Sequence, residues 1–203
     1  SDADTYAYLI GLIDLYNSNK PIYLPFIADD LSDTAELFNF KQFINYMKPH
    51  YQSGDGPGIL TWSKAENSFI KKLLNKYDDI LSEEDKFIVD EILKSTIDKY
   101  EFFEKEHIII RDCYTLKLKE VSKKLYNMGI IQTTWTDDMG GLAALSSIDR
   151  INDEATIADI NLGEHPDFAP MLEYNRIDCQ VIAEIVEWLS TKIRNYNNRI
   201  IQN

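Results

Sequence analysis

Three side chains stand where their type and spacing suit chemistry. Tyr174 and Asp178 open the last long helical segment, EYNRIDCQVIAEIVEWL. A spacing of four puts them one above the other on a single helix face. Glu66 stands in the first turn of the helix expected after the apolar run ILTW. Carboxylates gathered at element ends suit Mg2+ or Mn2+, which prefer hard oxygen ligands. Two such ions close together activate a water and stabilise the leaving oxygen of a phosphodiester, and a tyrosine hydroxyl beside them can orient that water.

Each of these residues also has a structural role open to it. Ser63, Lys64, Ala65 and Glu66 read as a capping box, in which Glu66 reaches back to the amide of the capping serine. Asp178 lies in the first turns of a helix, where the dipole favours a negative charge. Tyr174 is one of 12 tyrosines and suits a partly buried packing position. Asp98 reads as a helix cap rather than a metal ligand. His50, His107 and His165 share no metal-ligand spacing. Lys71, Lys72, Lys117, Lys119, Lys123 and Lys124 read mainly as solvated helix faces. Among them, Lys71 and Lys72 are best placed for phosphate, because their helix starts beside Glu66. Trp62 and Trp135 offer surfaces for a base, although core packing is the commoner fate of a tryptophan after an apolar run.

The elements that must position these residues follow from periodicity and breakers. YAYLIGLIDLY, the turn NSNKP and IYLPFIA predict a β-hairpin. DTAELFNFKQFINYMK predicts a helix that stops before Pro49, and the loop SGDGPG leads into the short strand ILTW and the helix SKAENSFIKKLLNKY. Ser82 caps the next helix, with Asp85 at its third position. A short strand near Thr96 and Ile97 precedes a further helix. TLKLKEVSKKLYNMG predicts a helix capped by Thr115 and stopped by Gly129. A polar stretch around TTWTDDMGG, a helix from Leu142 to Ile148, and a loop or short helix through EHPDFAP come before a final helix opening near Pro170.

With 203 residues the chain suits one domain, residues 1–203. The charge balance, 21 Lys and Arg against 34 Asp and Glu, gives −13, which excludes a protein that coats nucleic acid through a general basic surface. It leaves room for a site that holds a nucleic-acid end through metal ions. The apolar runs are too short to span a bilayer, so no membrane partner is expected. Cys113 and Cys179 lie far apart with no metal-ligand pattern, so a cytoplasmic or other reducing intracellular compartment is expected.

YNRID, a Y-x-x-x-D pattern heading a C-terminal amphipathic helix, resembles the third exonuclease motif of DEDD-type nucleases in the ribonuclease H-like superfamily, in its tyrosine subtype. YLIGLID, ILTWSKAENSFIKKL and EHIIIRDCYTLKLKEVSKKL, in that order, are similar to successive segments of the ribonuclease H-like domains that accompany predicted RecB-type nucleases. The resemblance spans about Tyr6 to Leu189. It implies an α/β fold with a mixed sheet flanked by helices and an N-terminal hairpin. It also implies a 3′–5′ exonuclease acting on nucleic acid, with DNA the expected substrate. Tyr174 carries over as the catalytic tyrosine, with Glu66 and Asp178 as ligands of a two-metal Mg2+ or Mn2+ site. The family's first motif, Asp-x-Glu on an opening strand, should precede YLIGLID, but SDADTYA does not contain it, and neither Asp2 and Asp4 nor Asp14 matches. The chain is therefore expected to be a fragment of a longer protein, inactive alone and working beside other domains of a larger protein or complex. The alternative is a catalytically silent ribonuclease H-like module used for scaffolding or protein interaction.

Overall fold

The first pairing the chain makes is the hairpin its alternating sequence calls for. In a computed structural model, which describes residues 6–15, 21–51, 56–135 and 147–201, β1 (Leu9–Asp14) pairs antiparallel with β2 (Ile22–Ile27). The register sets Leu9 opposite Ile27, Gly11 opposite Pro25 and Ile13 opposite Tyr23. Side chains alternate across a strand, so these pairs share one face, and Ile10 with Phe26 and Leu12 with Leu24 share the other.

Each face meets a helix. Ile10, Leu12 and Phe26 pack on the core that α1 (Asp33–Tyr51), α2 (Ala65–Lys76) and α3 (Glu83–Ser95) build around Phe40, Phe43, Ile44, Leu73, Ile88 and Ile92. The opposite face receives the head of the last helix, where Asn175 is seated directly on the Gly11 backbone. A Cβ at position 11 would lie 1.7 Å from the Asn175 Oδ1, so the hairpin and that helix approach this closely only because residue 11 is glycine.

β3 (Ile59–Thr61) runs parallel to β4 (Thr96–Asp98), the pairing expected of a strand-helix-strand crossover, here made through α2 and α3. Ahead lie α4 (Lys99–Lys105), α5 (Leu118–Asn127), α6 (Ile148–Ala158) and α7 (Ala169–Ile201), with two short 3-10 turns between the last two. Trp62, Phe103, Val121, Leu125, Ile177, Val181 and Ile185 make a second core from α4, α5 and α7. A third, smaller cluster joins Ile151, Leu162, Phe168 and Met171 to the hairpin residues Leu9 and Ile27.

The architecture is thus α/β with an N-terminal antiparallel hairpin, as the sequence predicts. In place of the single mixed sheet expected, the described residues form two separate two-stranded sheets, because β1 pairs with β2 alone and β3 with β4 alone. Several local boundaries also move. α1 continues through Pro49 to Tyr51, since Tyr51 is buried and its hydroxyl bonds the Pro57 carbonyl and Ser95, anchoring a last turn that the proline only weakens. α5 begins at Leu118 rather than after Thr115, because the Leu116 carbonyl accepts the Trp62 indole N–H at 2.8 Å and holds the preceding residues extended. Ser82 caps α3 as predicted and Asp85 completes a capping box with it, Asp98 caps α4 through the amides of Tyr100 and Glu101, and Gly129 ends α5 at a φ of 68°. Of the helix expected over 142–148, residues 142–146 lie outside the described residues, and residue 148 is the first of α6. Among the described residues no helix is long and apolar enough to cross a membrane.

Candidate functional site

The YNRID segment divides its labour. Glu173 and Arg176 close a bidentate ion pair at 2.7 Å on the helix surface. Asn175 accepts the Tyr23 hydroxyl at 2.7 Å and rests on Gly11, which fixes the helix head against the hairpin. Ile177 is buried in the second core. Those roles account for the intervening residues, while Tyr174 and Asp178 turn toward Lys119 and Trp135.

Asp178 is half-buried, and its Oδ1 accepts the Trp135 indole N–H at 3.0 Å. Burial pushes its carboxyl up to about 6, and the negative charge of Glu66 pushes the same way. The Trp135 hydrogen bond and the positive charge of Lys119 pull against them. That effect puts Glu66, at the head of α2 and far away in sequence, within electrostatic reach of Asp178. Cys179 reports the same neighbourhood: its thiol is raised to about 12 by burial and then by the charges of Asp178 and Glu66.

Glu66 itself is exposed. The capping box predicted for it does not form. Ser63 Oγ accepts the Ala65 amide and donates to Glu66 Oε2 at 3.1 Å, while the N-cap position falls to Lys64. Glu66 therefore meets the serine hydroxyl and not its backbone, because the helix starts one residue later than the pattern places it. Lys71 and Lys72 on the same helix are exposed.

Two residues that sequence reading valued differently complete the cluster. Trp135 neither joins the deep core nor stands free: its ring lies 6.4 Å from that of Tyr174 while its N–H serves Asp178. Lys119 places its ammonium 4.8 Å from the centre of the Tyr174 ring and 5.7 Å from that of Trp135, within cation–π range of both. In sequence Lys119 is one lysine among six on helical segments, with nothing to single it out. Trp62, by contrast, takes the packing role expected of it, 5% exposed against Phe103.

Glu184, two turns along α7, holds the segment that carries Trp135. It accepts the amides of Gln132 and Thr133, the Thr133 hydroxyl and the Gln180 amide. Burial acts to raise its carboxyl, and these hydrogen bonds outweigh it and hold the group below its ordinary value. A run of four acceptor bonds from one carboxylate is a positioning device, and sequence reading had no means to see it.

The donors at this site are two carboxylates whose like charges repel, with Asp178 Oδ1 committed to Trp135. Hard oxygens of that kind fit Mg2+ or Mn2+, which often bind through one or two carboxylates and retain waters. Elsewhere, Glu154, His165 and Asp167 place ligand atoms within 4.8 Å of one another. Arg150 already bridges Glu154 and Asp167 at 2.8 and 2.9 Å, so that trio belongs to an ion-pair network. Asp14 accepts the Tyr46 hydroxyl at 2.6 Å and stands with the hairpin and α1 rather than with this cluster. No family model, curated protein or solved structure matches the chain.

Proposed function

We propose that this chain is a ribonuclease H-like domain of the DEDD type in its tyrosine subtype, a metal-dependent 3′–5′ exonuclease domain that takes a DNA 3′ end. The observation that supports this reading is the placement of Tyr174 and Asp178 together with Trp135 and Lys119, with Glu66, from a distant part of the chain, near enough for its charge to act on the Asp178 carboxyl. Glu66 and Asp178 would hold divalent metal, and Tyr174 would orient the attacking water. The chemistry that Mg2+ or Mn2+ supplies at such a site is activation of a water and stabilisation of the leaving oxygen.

The protein's own contribution is electrostatic and steric. Trp135 fixes one oxygen of Asp178 by donating its indole N–H. Asn175 and Glu184 hold, respectively, the helix head and the Trp135 segment in place. Two carboxylates make half of the four-acid set that the resemblance implies, so these residues by themselves are expected to leave DNA intact. The free thiols Cys113 and Cys179 suit a reducing intracellular compartment.

The test is manganese titration by calorimetry, wild type against Asp178→Ala. Binding in the wild type that vanishes in the variant supports the metal site; absence of binding to the wild type counts against it. The second reading, a catalytically silent module, draws on Asp178 already having a donor in Trp135 and a cation nearby in Lys119. It predicts no manganese binding at Asp178.

A further inference from the structure

Lys119 is the cation of this cluster that no described residue pairs. Most basic side chains near a carboxylate here close on it: Lys48 on Glu84, Lys76 on Asp33 and Glu36, Arg150 on Glu154 and Asp167, Arg176 on Glu173. Among the described residues Lys119 makes no ion pair. Its ammonium is instead held at 4.8 and 5.7 Å from two aromatic centres, those of Tyr174 and Trp135. A π face attracts a cation without neutralising it, so this arrangement fixes the position of the charge and keeps its hydrogen-bonding protons available.

The surroundings add to its field. Lys119 is exposed and stands in the first turn of α5, whose N-cap, Lys117, makes no side-chain cap bond. The positive end of the helix dipole therefore lies at the same place as the ammonium. In the same cluster Asp178 accepts the indole N–H of Trp135, the ring that Lys119 also flanks. A half-buried carboxylate beside a fixed cation that no described residue pairs suits a ligand that is itself anionic.

We propose that Lys119 is the phosphate-binding residue of this site, donating to a non-bridging oxygen of a single-stranded nucleic-acid end laid against Tyr174. This rests on the reading of the site as one that takes nucleic acid, and it adds the residue that reading lacked. Trp135, held by Asp178, serves here as the second wall that keeps the ammonium from swinging away.

The experiment is fluorescence anisotropy of a short 3′-labelled oligothymidylate with the whole chain, in calcium rather than magnesium to prevent turnover, at several salt concentrations. The variants are Lys119→Met, which keeps an apolar stem over the rings, Lys119→Arg, and Lys117→Met as a control for net charge. Lys119→Met is expected to weaken binding about tenfold or more, the effect of losing a hydrogen bond between charged groups. It should also reduce the slope of log affinity against log salt by about 0.7, one phosphate contact on a single strand. Lys119→Arg should restore both, and Lys117→Met should leave both near wild type. A wild type that binds while Lys119→Met matches it in affinity and slope overturns the assignment of Lys119 alone. A wild type that does not bind the oligonucleotide overturns the nucleic-acid reading and this inference with it.

Discussion

Two buried or half-buried carboxylates in this protein live in opposite circumstances. Glu36, on α1, is 1% exposed and saturated: its oxygens accept from the Ala7 amide, the Tyr77 hydroxyl and the Lys76 ammonium. Lys76 in turn pairs with Asp33 and lies over the rings of Tyr6 and Tyr77. Burial works to lower the Lys76 ammonium, but its hydrogen bonds to Asp33 and Glu36 outweigh that and hold it above its ordinary value. Asp178, on α7, has one hydrogen-bond donor among the described residues, an indole N–H, and a carboxyl lifted to about 6 by burial. The contrast separates a carboxylate that ties the fold together from one kept short of partners. A saturated charge stabilises; an undersatisfied one is held in readiness at a cost in stability.

The sharpest way to break this comparison is to remove each group in turn. Glu36→Ala leaves Lys76, Tyr77 and the Ala7 amide facing a hole and is expected to cost about 3–5 kcal/mol in urea denaturation. A loss under about 1 kcal/mol would put Glu36 and Asp178 in the same class and dissolve the distinction.

Glu184→Ala tests the link between the two kinds of site. It removes acceptors for four donors and is expected to cost roughly 2 kcal/mol. Because the segment it holds carries Trp135, the variant should also alter tryptophan fluorescence and bring the Asp178 titration toward that of a solvated carboxyl. An unchanged Asp178 titration would show that Trp135 keeps its place without Glu184.

The smallest effect, and one of opposite sign, is expected from Asp178→Asn. A carboxyl whose folded pKa is raised makes the folded state bind a proton before the unfolded state does. Wild-type stability therefore gains from this group as pH falls from about 7 through 6 toward 4, and the gain is complete below the unfolded value of 3.8. Asp178→Asn should be somewhat more stable than wild type at pH 7, with the difference shrinking to nothing near pH 4. The wild-type side-chain carboxyl carbon should titrate by NMR with a midpoint near 6, and a midpoint near 4 would remove the basis of the contrast. Glu184 and Asp85, both held below their ordinary values against the pull of burial, act in the other direction and lose their contribution only as pH falls below the carboxylate range.

Local pattern determined much of this protein without help from the tertiary structure. The alternation of YLIGLID and IYLPFI, the Ser82 capping box, the Asp98 cap and the stop at Gly129 are all interactions between residues a few positions apart, and the sequence states them directly. The stacking of Tyr174 over Asp178 is of the same kind, set by the turn of one helix. What the tertiary structure alone decided are the terms that join distant residues. Glu66 meets Asp178 only after α2 and α7 are placed. Trp135 becomes a donor to Asp178 because Glu184 holds its segment. Lys119 stands out from five similar lysines because two rings happen to flank it. The continuation of α1 through Pro49 and the late start of α5 belong here as well, since a buried Tyr51 and a bond from Trp62 to the Leu116 carbonyl override the local signals. Helix periodicity and capping are encoded within a turn or two of chain, whereas burial, desolvation and the field at a carboxylate depend on which surfaces the whole fold brings together.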